Sequence, residues 1–193
     1  MFPLVNMDKE NRLDLFQIWL NLPAKDKFAK PGYEMIWANE VAPFEILGGT
    51  VRVISGKWNE IQAPPAPKAS WANDPNHEVG IYIISIKQGE TVSIPNASSK
   101  VNRMMYHIDG GVAEIEGHIL SPRDGMQLDP TVEANVSAKD EMVRVLILQG
   151  QPIDEPVVKY GPFVMNTNKE IVDAFADYRA TQFGGWPWGS ADV

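Results

Sequence analysis

The sequence predicts an all-β fold, an antiparallel jelly-roll β-barrel followed by one helix near its C-terminus. Short runs rich in Val, Ile and Met recur along the chain, turn signals containing glycine separate them, and a helix signature follows the last run. Short apolar runs that alternate with turn residues are typical of antiparallel sandwiches and barrels. The chain has 193 residues, and at this length roughly 70% of the unfolded surface can be buried, so a sizeable core is expected.

Seven runs have the composition of β-strands. The run at 15–22 alternates apolar and polar side chains with period two and ends at Pro23. The other runs are 51–54, 81–86, 91–94, 101–108, 112–115 and 143–148. Turn signals are found at Gly48-Gly49, Ser55-Gly56, Gln88-Gly89, Asp109-Gly110-Gly111, Glu116-Gly117 and Asp124-Gly125. This spacing predicts hairpins between successive strands.

The segment 62–75, called the proline segment below, contains four prolines at positions 64, 65, 67 and 75. Proline removes a hydrogen-bond donor from the backbone, so this segment is not expected to form a central strand. An extended surface loop is the natural interpretation. The segment could link two domains or lie across the barrel, and the sequence leaves both interpretations open.

A single helix is predicted at the C-terminal end. Thr167 and Glu170 have the spacing of a capping box, in which their side chains satisfy free backbone N–H groups at a helix start. The helix should end at about Phe183, before the glycine pair at 184–185. An apolar stripe along it should pack against the barrel and consists of Ile171, Phe175 and Tyr178. The tail at 186–188, Trp-Pro-Trp, could be packed or could form an exposed contact.

Composition and charge exclude several classes of function. The net charge is −8 and the densest basic group is only Lys25, Lys27 and Lys30, so direct nucleic-acid binding is not expected. The absence of cysteine excludes disulfides, zinc–thiolate sites and thiol nucleophiles, and it fits a reducing compartment. No signal peptide or long apolar run is evident, so we expect a soluble, cytoplasmic chain without membrane contact.

The three histidines do not form a pattern typical of a metal centre. Such a centre needs three or four nitrogen and oxygen ligands that converge from neighbouring strands. His77 lies just after the proline segment, His107 lies on a predicted strand and His118 follows a turn, and no His-x-His occurs. We therefore expect surface or hydrogen-bonded histidines, and we predict no metal ligand in this chain.

Other catalytic schemes also lack their motifs. The nucleophile motif Gly-x-Ser-x-Gly and the glycine-rich phosphate-binding loop are both absent. The acidic pairs Glu114 with Glu116 and Asp140 with Glu141 lie near turns and strand edges, where carboxylates are usually solvated. The sequence therefore predicts no catalytic residue and no cofactor-binding residue.

Two segments resemble one protein family. Residues 16–27, FQIWLNLPAKDK, resemble the strand and turn that join the two barrels of pirin. Residues 155–158, EPVV, and 160–167, YGPFVMNT, resemble the C-terminal signature of that family, and 51–56 is similar to the first strand of its second barrel. The resemblance spans nearly the whole chain.

The resemblance implies a bicupin, in which two β-barrels stack and the first holds iron(II) through three histidines and a glutamate. The last of those ligands in the family precedes a segment similar to residues 1–4 of this chain. We therefore expect 1–47 to contain the closing strands of a truncated first barrel and a connection. Residues 48–193 should form the C-terminal cupin domain with its helix and tail.

No family ligand can be carried over to this chain. Along 86–99, where a cupin places its first ligands, the chain has Asn96 and Ser98 in place of imidazoles, and these are poor ligands for a transition metal. The later segment 129–133 also lacks histidine. The resemblance thus implies a barrel without metal, with the iron(II) of the family expected in the first barrel.

Three functions compete at this point. The leading expectation is a non-catalytic cupin with a structural or protein-interaction role, because the metal ligands are absent and the surface is acidic with an aromatic tail. Phe16, Ile18 and Leu20 would then need a homo-oligomer or an N-terminal half to cover them. The alternative is one part of an iron-dependent quercetin 2,3-dioxygenase, an activity linked to the family together with nuclear transcription cofactor roles in eukaryotes. Whether this chain is an enzyme stays open. A third possibility is a small-molecule binder whose barrel is lined by Met104 and Tyr106.

Overall fold

Period-two burial of apolar side chains organises the chain into antiparallel sheets. The computed structural model describes residues 6–11, 13, 15–32 and 34–182. In chain order the strands are β1 (Phe44–Ile46), β2 (Gly49–Ser55), β3 (Lys57–Trp58), β4 (Ile61–Gln62), β5 (Gly80–Ile86), β6 (Thr91–Ile94), β7 (Asn102–Gly110), β8 (Ala113–Ile115), β9 (His118–Leu120), β10 (Gly125–Leu128), β11 (Ala134–Ala138), β12 (Val143–Gly150), β13 (Val158–Tyr160) and β14 (Phe163–Met165). A helix, α1 (Asn168–Thr181), follows them.

Two larger sheets form the barrel. The six-stranded sheet has the order β1-β2-β5-β12-β7-β10, and the four-stranded sheet has the order β6-β11-β8-β9. Every pairing in these sheets is antiparallel. Two short hairpins, β3–β4 and β13–β14, complete the strands. The predicted all-β cupin fold with one C-terminal helix is confirmed.

The core lies between the two sheets. Val51, Ile84 and Ile147 of the larger sheet and Ile94 and Ile115 of the smaller sheet belong to one buried cluster. Each such side chain contributes about 1.5–3 kcal/mol when it leaves water. The core therefore fixes which face of each strand points inward.

The six predicted strands from 51 onward are confirmed. The strands that the sequence did not predict, such as β9 and β11, lack a run of β-branched residues. In β11 the inward positions are Ala134, Val136 and Ala138. Small side chains allow close packing of a strand against its neighbour, but such residues have little intrinsic preference for the β conformation.

The strand predicted at 15–22 is wrong for this structure. Residues 15–23 have no regular secondary structure. A strand needs a neighbour for its backbone N–H and C=O groups, and within the described residues this segment pairs with none. The segment thus has alternating apolar and polar side chains but lacks the backbone hydrogen-bond partner that a strand requires.

The predicted helix is confirmed at its start. The Thr167 hydroxyl accepts a hydrogen bond from the Glu170 backbone N–H, and the Glu170 carboxylate accepts one from the Thr167 N–H at 2.7 Å. The helix ends at Thr181, two residues earlier than the sequence suggests. Its stripe packs against the β13–β14 hairpin, where Phe175 contacts Phe163 edge-on at 4.7 Å. The tail at 186–188 lies outside the described residues.

The proline segment lies against one end of the barrel. The Ala63 N–H donates to the Gly56 carbonyl at 2.9 Å, and the Trp71 indole N–H donates to the Gln151 carbonyl at 2.8 Å. These contacts fit the interpretation of an arm across the barrel rather than of a free linker. None of the helices in the described residues is long and apolar enough to span a membrane.

Candidate functional site

One end of the barrel interior is polar, whereas the rest of the interior is apolar. Along β7 the buried positions alternate, so Arg103, Met105 and His107 face inward. The pairing of β7 with β12 places Gln149 opposite Arg103, and the pairing of β12 with β5 places Ile147 opposite Tyr82. Arginine, glutamine and tyrosine therefore meet at this end, called the polar end below.

Arg103 is buried but only partly paired. The residue is 2% exposed, and its Nε and Nη2 donate to the Gln149 Oε1 at 2.9 and 2.8 Å. Within the described part of the chain, Nη1 has no hydrogen-bond partner. Burial lowers the pKa of Arg103, while the nearby Tyr82 and Glu78 oppose that effect. A guanidinium remains charged at neutral pH, so the polar end holds a buried cation.

Tyr82 forms a rigid wall beside this cation. Its hydroxyl donates to the Lys57 carbonyl at 2.8 Å. Its ring packs edge-on against Trp58, with 5.2 Å between ring centroids. Burial raises the pKa of Tyr82 to about 12. The phenol is therefore neutral over the physiological range.

The raised pKa of Tyr82 predicts a loss of stability at alkaline pH. The unfolded chain loses this proton above its ordinary pKa of 10.0, whereas the folded chain keeps it until about pH 12. Stability contributed by the neutral phenol is thus present below pH 10 and is lost as pH rises. By pH 12 the unfolding free energy of the wild type should fall by about 2 kcal/mol more than that of Tyr82→Phe. Denaturant titrations of both chains at several pH values measure this difference, and parallel pH profiles would contradict it.

A cavity of about 240 Å³ opens at the polar end. Arg103, Gln149, Lys57 and Asn96 provide its polar groups, and the Trp58–Tyr82 pair provides part of an apolar wall. A neighbouring cavity of about 630 Å³ shares several of these residues and lies beneath the proline segment. The arm thus lies next to the polar end.

The histidines do not converge in the structure. Both ring nitrogens of His107 face backbone carbonyls, Nδ1 towards Leu120 at 3.3 Å and Nε2 towards Asp109 at 3.1 Å. His77 stacks on Trp71, and its Nδ1 lies 2.7 Å from the Trp71 carbonyl. His118 is exposed on β9 in the other sheet.

The arrangement of possible metal ligands can be compared with the needs of the iron site that the family resemblance implies. No group of three or more His, Asp or Glu side chains within the described residues is arranged to hold a metal ion. The one histidine inside the barrel has both nitrogens turned to carbonyl oxygens, as above. The donor set of the described residues therefore does not fit an iron centre.

The residues at the expected ligand positions lie on the loop after β6. Asn96 lines the cavity at the polar end. The Ser98 N–H donates to the Glu78 carboxylate at 3.1 Å, which links this loop to the residues before β5. Of the two positions, Asn96 is the one placed beside the buried arginine.

Met104 and Tyr106 do not line the barrel, so this expectation is wrong. They occupy the outward positions of β7, and Tyr106 is 39% exposed. A shift of one residue moves every side chain of a strand to the other face. The inward residues of β7 are their neighbours Arg103, Met105 and His107.

One carboxylate of each acidic pair has a structural partner. Glu114 forms an ion pair with Lys139 at 2.7 Å. Asp140 accepts the Val112 N–H at 2.7 Å, and this backbone hydrogen bond is the largest cause that lowers the pKa of its carboxyl group. These carboxylates therefore stabilise turns.

A second feature is an apolar groove between the N-terminal segment and the C-terminal helix. Its volume is about 810 Å³. Residues 19–22 and the stretch from Lys27 to Pro31 line one side, and 162–165 with α1 line the other. Trp19 and Phe28, which border it, are 69% and 76% exposed. Large apolar side chains exposed together mark a contact surface.

Glu155 fixes the N-terminal segment beside this groove. Its Oε2 accepts the Ala24 N–H at 2.6 Å and the Asn166 side-chain amide at 2.8 Å. Lys27 donates to the Asn21 side chain at 3.0 Å. The segment thus follows a defined path without belonging to a sheet.

Sequence inspection missed Arg103, Tyr82 and Gln149. Arg103 and Tyr82 lie in runs whose composition indicates strands, and Gln149 directly follows the run 143–148, so nothing in the sequence distinguished these residues. The signal that could have identified Arg103 is its place on the inward face, two residues before Met105 and four before His107. A charged residue on an inward face is uncommon unless it is paired or functional.

Comparison with known proteins agrees with this fold. The family described as "Pirin C-terminal cupin domain" matches residues 81–184. A Pseudomonas aeruginosa protein named "Putative quercetin 2,3-dioxygenase PA3240" is 34% identical over 85% of this chain and 57% of its own length. Pirin of Rattus norvegicus is 29% identical over 87% of this chain and 56% of its own length. The expected resemblance is confirmed.

A solved structure is also similar to this chain in fold and sequence. The crystal structure of quercetin 2,3-dioxygenase from Acinetobacter baumannii matches with a TM-score of 0.73 and 25% identity, over 86% of this chain and 55% of that one. The chain thus spans a little more than half the length of these relatives.

Proposed function

The chain belongs to the pirin family through its C-terminal cupin domain, and from this premise we propose that it is a metal-free barrel that docks onto a first cupin barrel of the same family. In this proposal the chain is non-catalytic by itself and acts as a structural, protein-contacting module. The segment from Trp19 to Pro31 supplies the contact region, since Trp19 and Phe28 border the groove there. The iron(II) expected for the family is bound in the partner barrel.

The apolar groove is the observation that carries this proposal. A surface with Trp19 and Phe28 more than two-thirds exposed is unfavourable in water. An interface core enriched in aromatic side chains is typical of stable contacts. A cupin barrel is the occupant that we favour, because relatives with this domain have about two-fifths of their length outside the match.

Donor geometry supports the metal-free part of the proposal. Inside this barrel the imidazole of His107 is turned to two carbonyl oxygens, and Asn96 is an amide, which transition metals bind poorly. The chemistry assigned to this chain is therefore positioning of a partner rather than oxidation.

The first experiment joins this chain to the part of the P. aeruginosa relative that it does not match, through a linker with a protease site. After cleavage, the two parts should stay together in size-exclusion chromatography with light scattering. Replacing Trp19 and Phe28 by serine should weaken this complex by about 1,000-fold, because buried aromatic anchors contribute about 2 kcal/mol or more each. Ile119→Ser, on an exposed apolar residue of β9, is the matched control and should leave the complex intact.

Two results would contradict the docking proposal. Separation of the cleaved wild-type parts would show that the groove does not bind a first barrel. A stable homodimer of the chain alone that is disrupted by Trp19→Ser would assign the groove to a second copy instead.

A second candidate is a direct part in quercetin 2,3-dioxygenase chemistry, favoured by the name of the A. baumannii structure. Metal content and quercetin turnover, measured after anaerobic reconstitution with ferrous iron, separate the two functions. We expect no stoichiometric iron and no turnover for the chain alone. One bound iron per chain together with turnover would overturn the metal-free role.

A further inference from the structure

We propose that the cavity at the polar end binds a small organic carboxylate, with Arg103 as its cation and the Trp58–Tyr82 pair as its apolar wall. This site lies inside the barrel and is separate from the apolar groove. Its binding does not depend on a partner barrel, so the two proposals can fail independently.

The buried guanidinium of Arg103 is incompletely paired. Two of its nitrogens share one neutral amide oxygen of Gln149, and Nη1 has no partner within the described residues. A buried charge without a counter-charge in hydrogen-bond contact is costly, and proteins normally pair it. Arg103 lines the cavity, so an anion held there lies beside the guanidinium and supplies the missing acceptor once Nη1, which is buried in the ligand-free structure, turns towards it.

The nearby carboxylate of Glu78 accepts its hydrogen bond from a group other than Arg103. Glu78 attracts Arg103 electrostatically, but its Oε2 accepts the Ser98 N–H. Gln149 is held in turn, because its side-chain amide donates to the Glu78 carbonyl at 3.3 Å. The amide oxygen of Gln149 is thereby kept towards Arg103, and the guanidinium orientation is fixed before a ligand arrives.

The other walls of the cavity combine polar and apolar groups. Lys57, whose ammonium group forms an ion pair with Glu60 at 3.6 Å, also lines the cavity, and Asn96 adds a neutral hydrogen-bonding group. Trp58 and Tyr82 pack edge-on, and Ile94 with Pro95 extends the apolar surface. Charge on one side and aromatic surface on the other favour an organic acid over a free inorganic anion.

The size of the cavity limits the ligand. Sites for drug-sized molecules usually measure about 300–1,000 Å³, and this cavity measures about 240 Å³. The site therefore suits a fragment-sized acid with one ring or a short aliphatic body. Benzoate is a suitable probe, and benzamide is its neutral counterpart of nearly equal shape.

Calorimetric titration of the full chain tests the site. Benzoate should bind at millimolar concentration or below, and benzamide should bind about tenfold more weakly, because a hydrogen bond to a charged group contributes that much. Inorganic phosphate, which lacks an apolar body, should also bind more weakly than benzoate. Arg103→Met should reduce benzoate affinity about tenfold or more. Arg52→Met, a half-buried arginine of β2 that does not line the cavity, is the matched control.

Several outcomes would overturn the proposal. These are the absence of benzoate binding at millimolar concentration, equal affinities for benzoate and benzamide, equal affinities for benzoate and phosphate, and a folded Arg103→Met chain with wild-type affinity. If Arg103→Met does not fold, the comparison of benzoate with benzamide on the wild-type chain is decisive by itself. Binding can be followed independently through the fluorescence of the tryptophans, with Trp58→Phe identifying the signal from the cavity wall.

Discussion

Alanine in place of Gly110 is expected to destabilise the chain by about 3 kcal/mol or more. Gly110 ends β7 with a φ of +99°, a backbone conformation that costs an L-residue about 1–2 kcal/mol. A Cβ added there would also overlap the carbonyl oxygen of Met142, which is backbone and cannot rotate away. Relief would require β7 and β12 to separate at this point, where Gly110 pairs with Val143. Denaturant unfolding followed by circular dichroism measures the loss.

Gly89→Ala is the matched control for this effect. Gly89 has a similarly positive φ of +75°, but a Cβ there would meet nothing within 4 Å. Only the conformational cost of about 1–2 kcal/mol should remain. The difference between the two variants isolates the steric overlap, so equal losses of stability would show that β7 and β12 adjust to the added methyl group without cost.

Strands of this fold were predictable where composition and pairing agree. Ile81 to Ile86 is a β-branched run, and the structure gives it two neighbours, β2 and β12. The run at 15–22 has an equally clear alternation but no backbone partner in the described residues. Alternation reports which side chains could share a face, whereas a strand also requires a partner that one segment cannot reveal.

The candidate site was less predictable than the fold, because it depends on register. Arg103 could be assigned to a strand from its neighbours, but its inward direction follows from pairing with β12, which places Gln149 opposite. The expectation for Met104 and Tyr106 failed for this reason, since choosing the wrong face exchanges every lining residue. Tyr82 and Lys57 are 25 positions apart in sequence, and only the fold joins them through a hydrogen bond.

The charge at the polar end affects both metal binding and anion binding in this barrel. At the positions where a cupin would carry imidazoles, Asn96 lies beside a buried guanidinium. A cation within the cavity repels a metal ion and attracts an anion. The proposed carboxylate site and the proposed metal-free role of the barrel would thus share one physical cause, which is the charge of Arg103.

Truncation of Ile147 to alanine is expected to cost about 3–4 kcal/mol, because this residue lies at the centre of the larger sheet. Ile147 is 0% exposed and faces Tyr82 on β5 and Met105 on β7, which are both buried. Removing its side chain forfeits the burial energy of the lost methylene and methyl groups and leaves a cavity that rigid strands on both sides fill only in part. Thermal unfolding should shift downward by about 10 °C for a chain of this size.

The neighbouring position supplies the control for this prediction. Leu148 lies on the opposite face of β12 and is only half-buried, so Leu148→Ala removes a comparable side chain without opening the core and should cost about 1 kcal/mol. Ile147→Val, which removes one methyl group, should cost about 1 kcal/mol as well. If Ile147→Ala and Leu148→Ala lost equal stability, the inward face assigned to β12 would be wrong, and with it the orientation of Gln149 towards Arg103.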